Sequence, residues 1–358
     1  MITHVILDQI DVPIVQAPLA GGPSTPELAA AVSNAGGLGF LAAGYLTADL
    51  LREQIASARA TTAGALGVNL FVPGVPATPG VVEDYAARLS AAYPQAGADL
   101  GLARFDDDAW DAKLALLLDA PLPVISFTFG CPDVQVISAV QSAGSEAWVT
   151  VTTPAEARRA AAAGADALIV QGIEAGGHRA SFADDPASDM SGGFGLLSLL
   201  QLVRRETPLP LVGAGGISTG AGVAAVLAAG AAAAQLGTAF LRSPEAGTAQ
   251  VHRNALTQPG ETAMTRAFTG RLARGIRNQF LDEHSQAAPV AYPEVHFLTA
   301  PLRAAARRSG NPDLVNLWAG QTYELAGERP AAEIVTQLAG DARTALAAAA
   351  SRLSQGSD

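Results

Sequence analysis

The sequence has 358 residues, of which 49% are hydrophobic and 15% charged, so the chain can bury a large core and is not intrinsically disordered. Its 33 acidic residues outnumber the 22 basic ones, and the net charge of −11 argues against a nucleic acid or an anionic membrane as a partner. No apolar run reaches the roughly 20 residues of a membrane span, and we expect no export signal. The single cysteine, Cys131, excludes an internal disulfide, so we expect a cytoplasmic protein.

Two scarce residue types exclude further chemistry. The only lysine, Lys113, lies in a segment typical of a surface helix, which disfavours an enzyme that needs a lysine to form a Schiff base. The histidines lie far apart, and none falls in an H-x-H or H-E-x-x-H spacing, so we expect no metal site. They are His4, His178, His252, His284 and His296.

Eight short apolar runs alternate with longer Ala-rich patterns that are typical of helices. Nearly continuous apolar runs indicate parallel strands that are buried on both faces. Eight such rounds in about 255 residues predict an α/β fold of the TIM, or (β/α)8, barrel type. An open doubly wound sheet is the alternative, but residues 17–23 after the first run lack its G-x-G-x-x-G turn. The runs are residues 12–18, 38–44, 65–72, 124–129, 147–152, 167–172, 211–214 and 233–241.

Helix boundaries follow the same rhythm. Small polar residues precede four of the helical patterns, at Thr25, Thr47, Thr153 and Ser218, and glycines end several of them. The rhythm stops near residue 258. We therefore expect a barrel over residues 1–257, and a helical extension over residues 258–358 that packs on the barrel and covers part of its mouth.

Active sites of such barrels lie at the carboxyl ends of the strands, so the residues after each run are the candidates. Gly215 and Gly216 follow the seventh run and lead into a helix near Ser218, while Gly237 and Thr238 follow the eighth run. Glycine turns beside a helix N-terminus expose N–H groups that bind phosphate. A single glycine equally makes a tight turn, but two such loops in these positions predict a phosphate site.

Two carboxamides, Asn69 and Gln171, stand in otherwise apolar runs. A buried amide must find partners, either within the core or on the edge of a planar heterocycle. Phosphate at one end and amides at the other describe a mononucleotide such as FMN. The adjacent Gly176 and Gly177 would allow the backbone to approach its ring closely.

His178 follows the glycine pair at the end of the sixth run and is the candidate catalytic residue. A histidine that titrates near neutral pH suits the removal of a proton next to an electron-withdrawing group. Glu174 could orient His178 or pair with Arg179, and both alternatives stay open.

Three other residues carry reactive groups. No basic residue neighbours Cys131 in sequence, so an inert buried thiol is favoured over a nucleophile. Tyr292 and His296 lie four residues apart, on one face of a helical turn. They could face the site, but a packing role is favoured.

The chain resembles the nitronate monooxygenases, also called 2-nitropropane dioxygenases, and among them the bacterial class I group. The segment QGIEAGGHRAS at residues 171–181 is the most specific match, whereas GGI at 215–217 and QLGT at 235–238 are shared with other flavin barrels. The remaining matches are QAPLAGGPSTPELAAAVSNAGGLGFLAAG at 16–44, GVNLFVP at 67–73, VISFTFGCP at 124–132, VGAGGI at 212–217 and FTGRLARGIRN at 268–278.

The resemblance implies an enzyme that holds FMN non-covalently and oxidises alkyl nitronates, such as propionate 3-nitronate, with O2 to carbonyl compounds and nitrite. It implies a detoxifying role, with a nitronate and O2 as the partners, and leaves monomer and homodimer open. Flavin-dependent NAD(P)H:quinone and enoyl-thioester reductases share the scaffold and are the alternative. Leu19 stands where the family usually has Met, which we expect to change packing against the flavin.

Rim positions and resemblance together give the candidate site. His178 is the catalytic residue, and no residue is assigned to a metal. The candidate flavin contacts are Ala20, Gly21, Asn69, Gln171, Gly176, Gly177, Gly215, Gly216, Gln235, Leu236, Gly237 and Thr238.

Overall fold

The structure is a computed structural model, and it describes residues 6–94, 100–184 and 193–354. His4 lies outside these ranges. All eight predicted runs form strands of one parallel sheet, in the order β1-β9-β8-β6-β5-β4-β3-β2. These strands are β1 Ile14–Gln16, β2 Gly39–Ala42, β3 Leu66–Phe71, β4 Val124–Thr128, β5 Glu146–Val151, β6 Ala167–Gln171, β8 Leu211–Ala214 and β9 Ala233–Leu236.

The sheet closes on itself where β1 meets β2. Val15 and Leu38 form a parallel bridge, and the Gln16 amide donates to the Leu38 carbonyl oxygen at 2.9 Å. The fold is therefore the TIM barrel that the eight apolar runs predicted.

The strand side chains alternate between two hydrophobic layers. Phe40, Trp148, Ile169 and Val212 belong to a buried cluster contributed by strands, which fills the barrel interior. The intervening residues pack outward against the helices in a second, larger cluster. Burial on both faces explains why the runs are apolar throughout and show no period-two alternation.

Helices connect the strands, and their caps agree closely with the sequence. The side chains of Thr25, Thr47 and Thr153 each accept a hydrogen bond from the backbone N–H three residues on. The predicted start at Ser218 is one residue early, because Thr219 is the capping residue. The helices are α1 Pro26–Asn34, α2 Ala48–Thr61, α3 Glu83–Ala92, α4 Trp110–Asp119, α5 Val134–Ser142, α6 Pro154–Ala162, α7 Leu196–Glu206, α8 Gly220–Ala228, α9 Gln250–Ala255, α10 Gln279–His284, α11 Glu294–Ser309 and α12 Ala331–Ser354.

A small second sheet joins the barrel mouth to the C-terminal part of the chain. Its strands are β7 (Gly177–His178), β10 (Thr262–Thr265) and β11 (Ala273–Ile276), in the order β10-β11-β7. His178 pairs with Ala273 across an antiparallel ladder. The loop after β6 is thereby fixed to a segment almost one hundred residues later. No helix in the described residues is both long and apolar enough to cross a membrane.

Candidate active site

A cavity of about 450 Å³ opens at the carboxyl ends of the barrel strands, a volume within the usual range of small-molecule sites. The catalytic residue and all the flavin contacts predicted from the sequence line this cavity. Contact of these residues with a cofactor stays a prediction. The nominated residues that line it are Ala20, Gly21, Asn69, Gln171, Gly176, Gly177, His178, Gly215, Gly216, Gln235, Leu236, Gly237 and Thr238.

One end of the cavity offers unused backbone donors. Within the described residues, the N–H groups of Gly216, Gly237 and Thr238 donate to no protein acceptor. The Thr238 hydroxyl accepts from the Gly320 amide at 3.0 Å, so the C-terminal segment supports this loop from behind. Gly216 has φ +64°, and a Cβ there would come within 2.8 Å of the Glu174 Cβ, so this turn requires glycine. These free amides suit a phosphate group.

Two buried amides that line the cavity, Asn69 and Gln235, have side-chain oxygens without a hydrogen-bond donor in the described residues. The Asn69 Nδ2 group donates to Ser126 and to Thr128, at 2.9 Å to each hydroxyl, which turns its oxygen towards other partners. The Gln235 Oε1 atom is buried without a hydrogen-bond partner in the described part of the chain. A buried unsatisfied oxygen costs about 1–3 kcal/mol unless a ligand supplies the donor.

The Gln171 side chain makes its hydrogen bonds within the protein. Its Nε2 group donates to the His178 carbonyl oxygen at 3.0 Å, and its Oε1 atom accepts from the Ala180 amide at 2.9 Å. The Arg179 guanidinium donates to the Gln171 carbonyl oxygen at 2.6 Å. Gln171 therefore shapes the turn that carries His178, whatever it adds to ligand binding.

The hydrogen bonds around His178 assign its tautomer. The Thr269 hydroxyl donates to the Arg271 carbonyl oxygen at 3.2 Å, and its oxygen lies 2.9 Å from His178 Nε2. Since the Thr269 hydroxyl can direct its single proton to Arg271, we assign the proton of the neutral imidazole to Nε2, from where it donates to Thr269. Nδ1 makes no hydrogen bond to a described residue and keeps a free lone pair.

Burial, then the charges of Arg271 and Arg303, lower the pKa of His178 to about 3. This differs from the near-neutral titration expected from the sequence, because the ring is buried and two guanidinium charges from distant segments add to the effect. The imidazole is consequently neutral across the physiological pH range, with a free nitrogen available as a proton acceptor.

Aromatic rings enclose His178 on several sides. The rings of Phe129 and Trp318 lie with centroids 5.7 and 5.4 Å from the imidazole, and that of Tyr292 lies at 5.7 Å. Phe129 adopts φ +76°, a conformation uncommon for a non-glycine residue. These rings form an apolar wall that restricts water around His178.

Tyr45 and His296 continue this wall. Their rings stack in parallel with centroids 4.2 Å apart, and the Tyr292 hydroxyl donates to the Tyr45 hydroxyl oxygen at 3.1 Å. His296 lines the cavity, whereas Tyr292 supports it through His178 and Tyr45. The sequence left the surroundings of Tyr292 and His296 open, and the structure places both around the candidate catalytic residue.

A buried ion pair fixes Tyr45, and it corrects the surface position predicted for Lys113. Lys113 lies on α4 but is 0% exposed, and its Nζ atom is 2.7 Å from Asp108 Oδ2. The other Asp108 oxygen accepts from the Tyr45 amide at 2.8 Å, where Tyr45 has φ +69°. The surface prediction was wrong because a carboxylate from the preceding loop neutralises the lysine and allows it to pack inward.

Glu174 makes no direct hydrogen bond to His178 or Arg179 within the described residues, although its charge acts on Arg179. Its carboxylate accepts from the Leu196 amide at the start of α7, at 2.9 Å to one oxygen. It therefore acts as a cap for that helix. Cys131 is partly buried, and burial raises the pKa of its thiol, in agreement with an unreactive side chain. In the ranges described, no group of three or more His, Cys, Asp or Glu residues is placed to hold a metal ion.

Sequence reasoning missed four residues that shape the site: Tyr45, Thr269, Arg303 and Trp318. Tyr45 directly follows the second apolar run, so the strand-end rule offered a signal for it. Thr269, Arg303 and Trp318 come from the chain beyond residue 258, where the one signal is the matching segment at residues 268–278, which includes Thr269.

A closed parallel barrel with a polar, glycine-rich cavity at the carboxyl ends of its strands defines an enzyme of the TIM-barrel class. Within that class the chain belongs to the nitronate monooxygenase family, whose model matches residues 5–341. The chain is thus an oxidoreductase.

Individual relatives agree with this membership. The chain is 40% identical to a nitronate monooxygenase of Paraburkholderia phytofirmans, with 92% of each chain covered. It is also 40% identical to one of Pseudomonas aeruginosa, covering 93% of this chain and 97% of the relative. A crystal structure of nitroalkane oxidase from Streptomyces ansochromogenes matches with a TM-score of 0.94 at 51% identity, covering 96% and 99% of the two chains. FabK from Thermotoga maritima matches with a TM-score of 0.74 at 26% identity, covering 98% and 97%.

Proposed function

We propose that this protein is an FMN-dependent enzyme that oxidises alkyl nitronates with O2 to carbonyl compounds and nitrite. The observation that carries the proposal is a single cavity in which a neutral histidine with a free nitrogen lies on the same rim as a set of unused amide donors. Membership of the nitronate monooxygenase family supports the same reaction.

The cavity fits FMN at both of its ends. The free N–H groups of Gly216, Gly237 and Thr238 would hold the phosphate, which carries a charge that these donors favour. The unfilled oxygens of Asn69 and Gln235 would accept from the polar edge of the ring. When bound, FMN supplies the electron acceptor for the substrate and the means of reducing O2.

His178 has a role that depends on the substrate. A nitronate is already deprotonated at carbon, so its oxidation requires no base. A neutral nitroalkane still carries its α-proton, and the Nδ1 atom of His178 would accept it. Burial, then the charges of Arg271 and Arg303, disfavour the imidazolium, so Nδ1 is a weak base that acts through its position.

The aromatic wall contributes by excluding water. Phe129, Trp318 and the stacked pair of Tyr45 and His296 leave little polar surface beside His178. Electrostatic interactions strengthen in such surroundings, and charged intermediates are shielded from side reactions with water. This wall therefore favours a reaction that is sensitive to water close to the histidine.

The test begins with the purified protein. We expect it to be yellow and to release FMN, identified by chromatography after denaturation. Preformed nitronates of several chain lengths should consume O2 and yield nitrite. A protein that releases FMN but produces no nitrite from any of them contradicts the proposed reaction, and a protein that binds no flavin contradicts the cofactor.

A flavin-dependent NAD(P)H:quinone or enoyl-thioester reductase on the same barrel is the second candidate, because the fold is also similar to that of FabK. NADH under anaerobic conditions separates the two. A reductase would lose its yellow colour within seconds, whereas the proposed enzyme should be reduced by a nitronate and not by NADH.

A further inference from the structure

Two arginines on one wall of the cavity have no carboxylate partner. Arg303 and Arg307 lie one turn apart on α11, and both line the cavity. Neither lies within 4.0 Å of an Asp or Glu carboxylate in the part of the chain that the structure describes. Arg303 is only 3% exposed, so its charge is buried without a counter-ion, which is an unfavourable state for the protein alone.

Neutral oxygens hold the two guanidinium groups in place. Arg303 donates from Nε to the Thr299 hydroxyl at 3.0 Å and from Nη2 to the His296 carbonyl oxygen at 2.8 Å. The Asn316 Oδ1 atom accepts from both Arg303 and Arg307, at 3.4 and 3.1 Å. One amide oxygen therefore joins two like charges, where a carboxylate would neutralise them.

The pair stays charged at neutral pH. Burial, then the charge of Arg307, lowers the pKa of Arg303 to about 10, which leaves it protonated. A buried and a half-buried positive charge that line one cavity form a strong site for an anion, and guanidinium groups bind carboxylates in a two-pronged geometry.

Contacts connect the two arginines with the surroundings of His178. The His296 residue that accepts from Arg303 stacks on Tyr45, and Trp318, two residues beyond Asn316, packs against His178. A small substrate with its reacting carbon at His178 can thus extend its other end to the arginines.

We propose that Arg303 and Arg307 form an anion subsite that binds a carboxylate on the far end of the substrate chain. The inference rests on the proposed function, because it assigns the residues that select among nitronates. A plain alkyl nitronate has one charge, which belongs at the reacting end. A nitronate that also carries a carboxylate has a second charge, and it alone can neutralise the arginine pair.

The test compares two substrates of equal length: the nitronate of 3-nitropropionate, which ends in a carboxylate, and that of 1-nitropropane, which ends in a methyl group. We expect the wild-type enzyme to favour the carboxylated nitronate in kcat/KM at least tenfold. Arg307→Met should reduce this preference about tenfold to a hundredfold, the range for one lost hydrogen-bonded charge contact. Arg303→Lys, which keeps the charge but loses the two-pronged geometry, should reduce it less.

Arg308→Met is the matched control, since Arg308 is the next residue on α11 and is exposed. It should leave the preference of the wild-type enzyme unchanged. An Arg307→Met enzyme with the same preference as Arg308→Met overturns the subsite.

A binding measurement separates this inference from the proposed reaction. If the wild-type protein oxidises neither nitronate, the proposed function is wrong, and calorimetric titration with 3-nitropropionate then decides the subsite. Binding weakened at least tenfold in Arg307→Met relative to Arg308→Met supports the anion subsite, and equal dissociation constants overturn it.

Discussion

The Nε2 atom of His178 lies 2.9 Å from the hydroxyl oxygen of Thr269, and this contact determines which nitrogen of the ring faces the cavity. With the Thr269 proton assigned to the Arg271 carbonyl oxygen, the imidazole donates through Nε2. Under the proposed function, Thr269 acts through His178 as a positioning residue. A threonine in a loop after β10 would otherwise have no evident connection with a reaction at the barrel rim.

Replacing Thr269 should alter the tautomer without altering the fold. Thr269→Val has almost the same volume but offers no acceptor for Nε2–H, so we expect kcat/KM for a neutral nitroalkane to fall about tenfold. Thr269→Ser should restore most of this loss. The ¹⁵N chemical shifts of the His178 ring provide an independent measurement, and an unchanged tautomer in Thr269→Val would contradict the assignment.

His178→Asn should separate the two classes of substrate. Asn retains approximate size and a hydrogen bond but accepts no proton near neutral pH, so nitroalkane turnover should fall by about 10²–10⁴-fold. The same preparation should keep its flavin and a substantial part of its activity on a preformed nitronate. Equal losses on both substrates would show that His178 positions substrate or stabilises charge instead.

The low pKa of His178 predicts the shape of the pH profile. Its value of about 3 lies below that of a free histidine, so the neutral base is present at all pH values well above 3. The nitroalkane kcat/KM should show no histidine-like inflection between pH 5 and 8, and should fall only as the pH approaches 3. Stopped assays over this range, corrected for ionisation of the nitroalkane itself, make the measurement. A clear inflection near pH 6.5 that disappears in His178→Asn would refute the lowered pKa.

We expect the Gln235 side chain to strengthen FMN binding and to lower the stability of the apoprotein. Its Oε1 atom is buried without a donor, so Gln235→Leu removes an unsatisfied group and should leave the apoprotein equally or more stable by about 1 kcal/mol. The same change should weaken FMN binding about tenfold. Gln201→Leu, at an exposed position of α7, is the control and should alter neither quantity. Loss of apoprotein stability in Gln235→Leu would instead indicate a purely structural amide.

Breaking the Lys113–Asp108 ion pair should lower the free energy of unfolding far more than breaking a surface ion pair. Lys113→Met leaves the Asp108 carboxylate without its cation in a mostly buried place, and we expect a loss of about 3 kcal/mol in the free energy of unfolding. Arg52→Met breaks the exposed pair with Asp49 and should cost about 0–1 kcal/mol. Denaturant titrations of both variants provide the comparison, and equal effects would show that burial of the lysine is unimportant.

Local patterns in the sequence accounted for most of the scaffold. The eight strands and the caps at Thr25, Thr47 and Thr153 depend on residues within a few positions of one another, and periodicity and capping chemistry record such relationships directly. The grouping of polar residues at the strand ends could also be predicted, because a barrel brings the carboxyl ends of all its strands to one rim, whatever their order along the chain.

The side-chain contacts that hold the site residues in place could not be predicted from local sequence patterns. The His178–Thr269 bond joins residues 91 positions apart, and the Tyr292–Tyr45 bond joins residues 247 apart. No local pattern records these pairs, since they depend on how the segment after residue 258 lies across the mouth. For the same reason the sequence suggested an ordinary histidine pKa, because the arginines that lower it approach from that segment.

The pairing of β7 with β11 sets the order in which the molecule acquires its parts during synthesis. All eight barrel strands have been made once the chain reaches Leu236, but His178 has no strand partner until Ala273 has been added. Thr269, which orients the ring, and Arg303, which lowers its pKa, arrive later than the barrel as well. A nascent chain therefore completes its scaffold before it can assemble the reacting centre, and activity reports on the docking of the last hundred residues rather than on closure of the barrel.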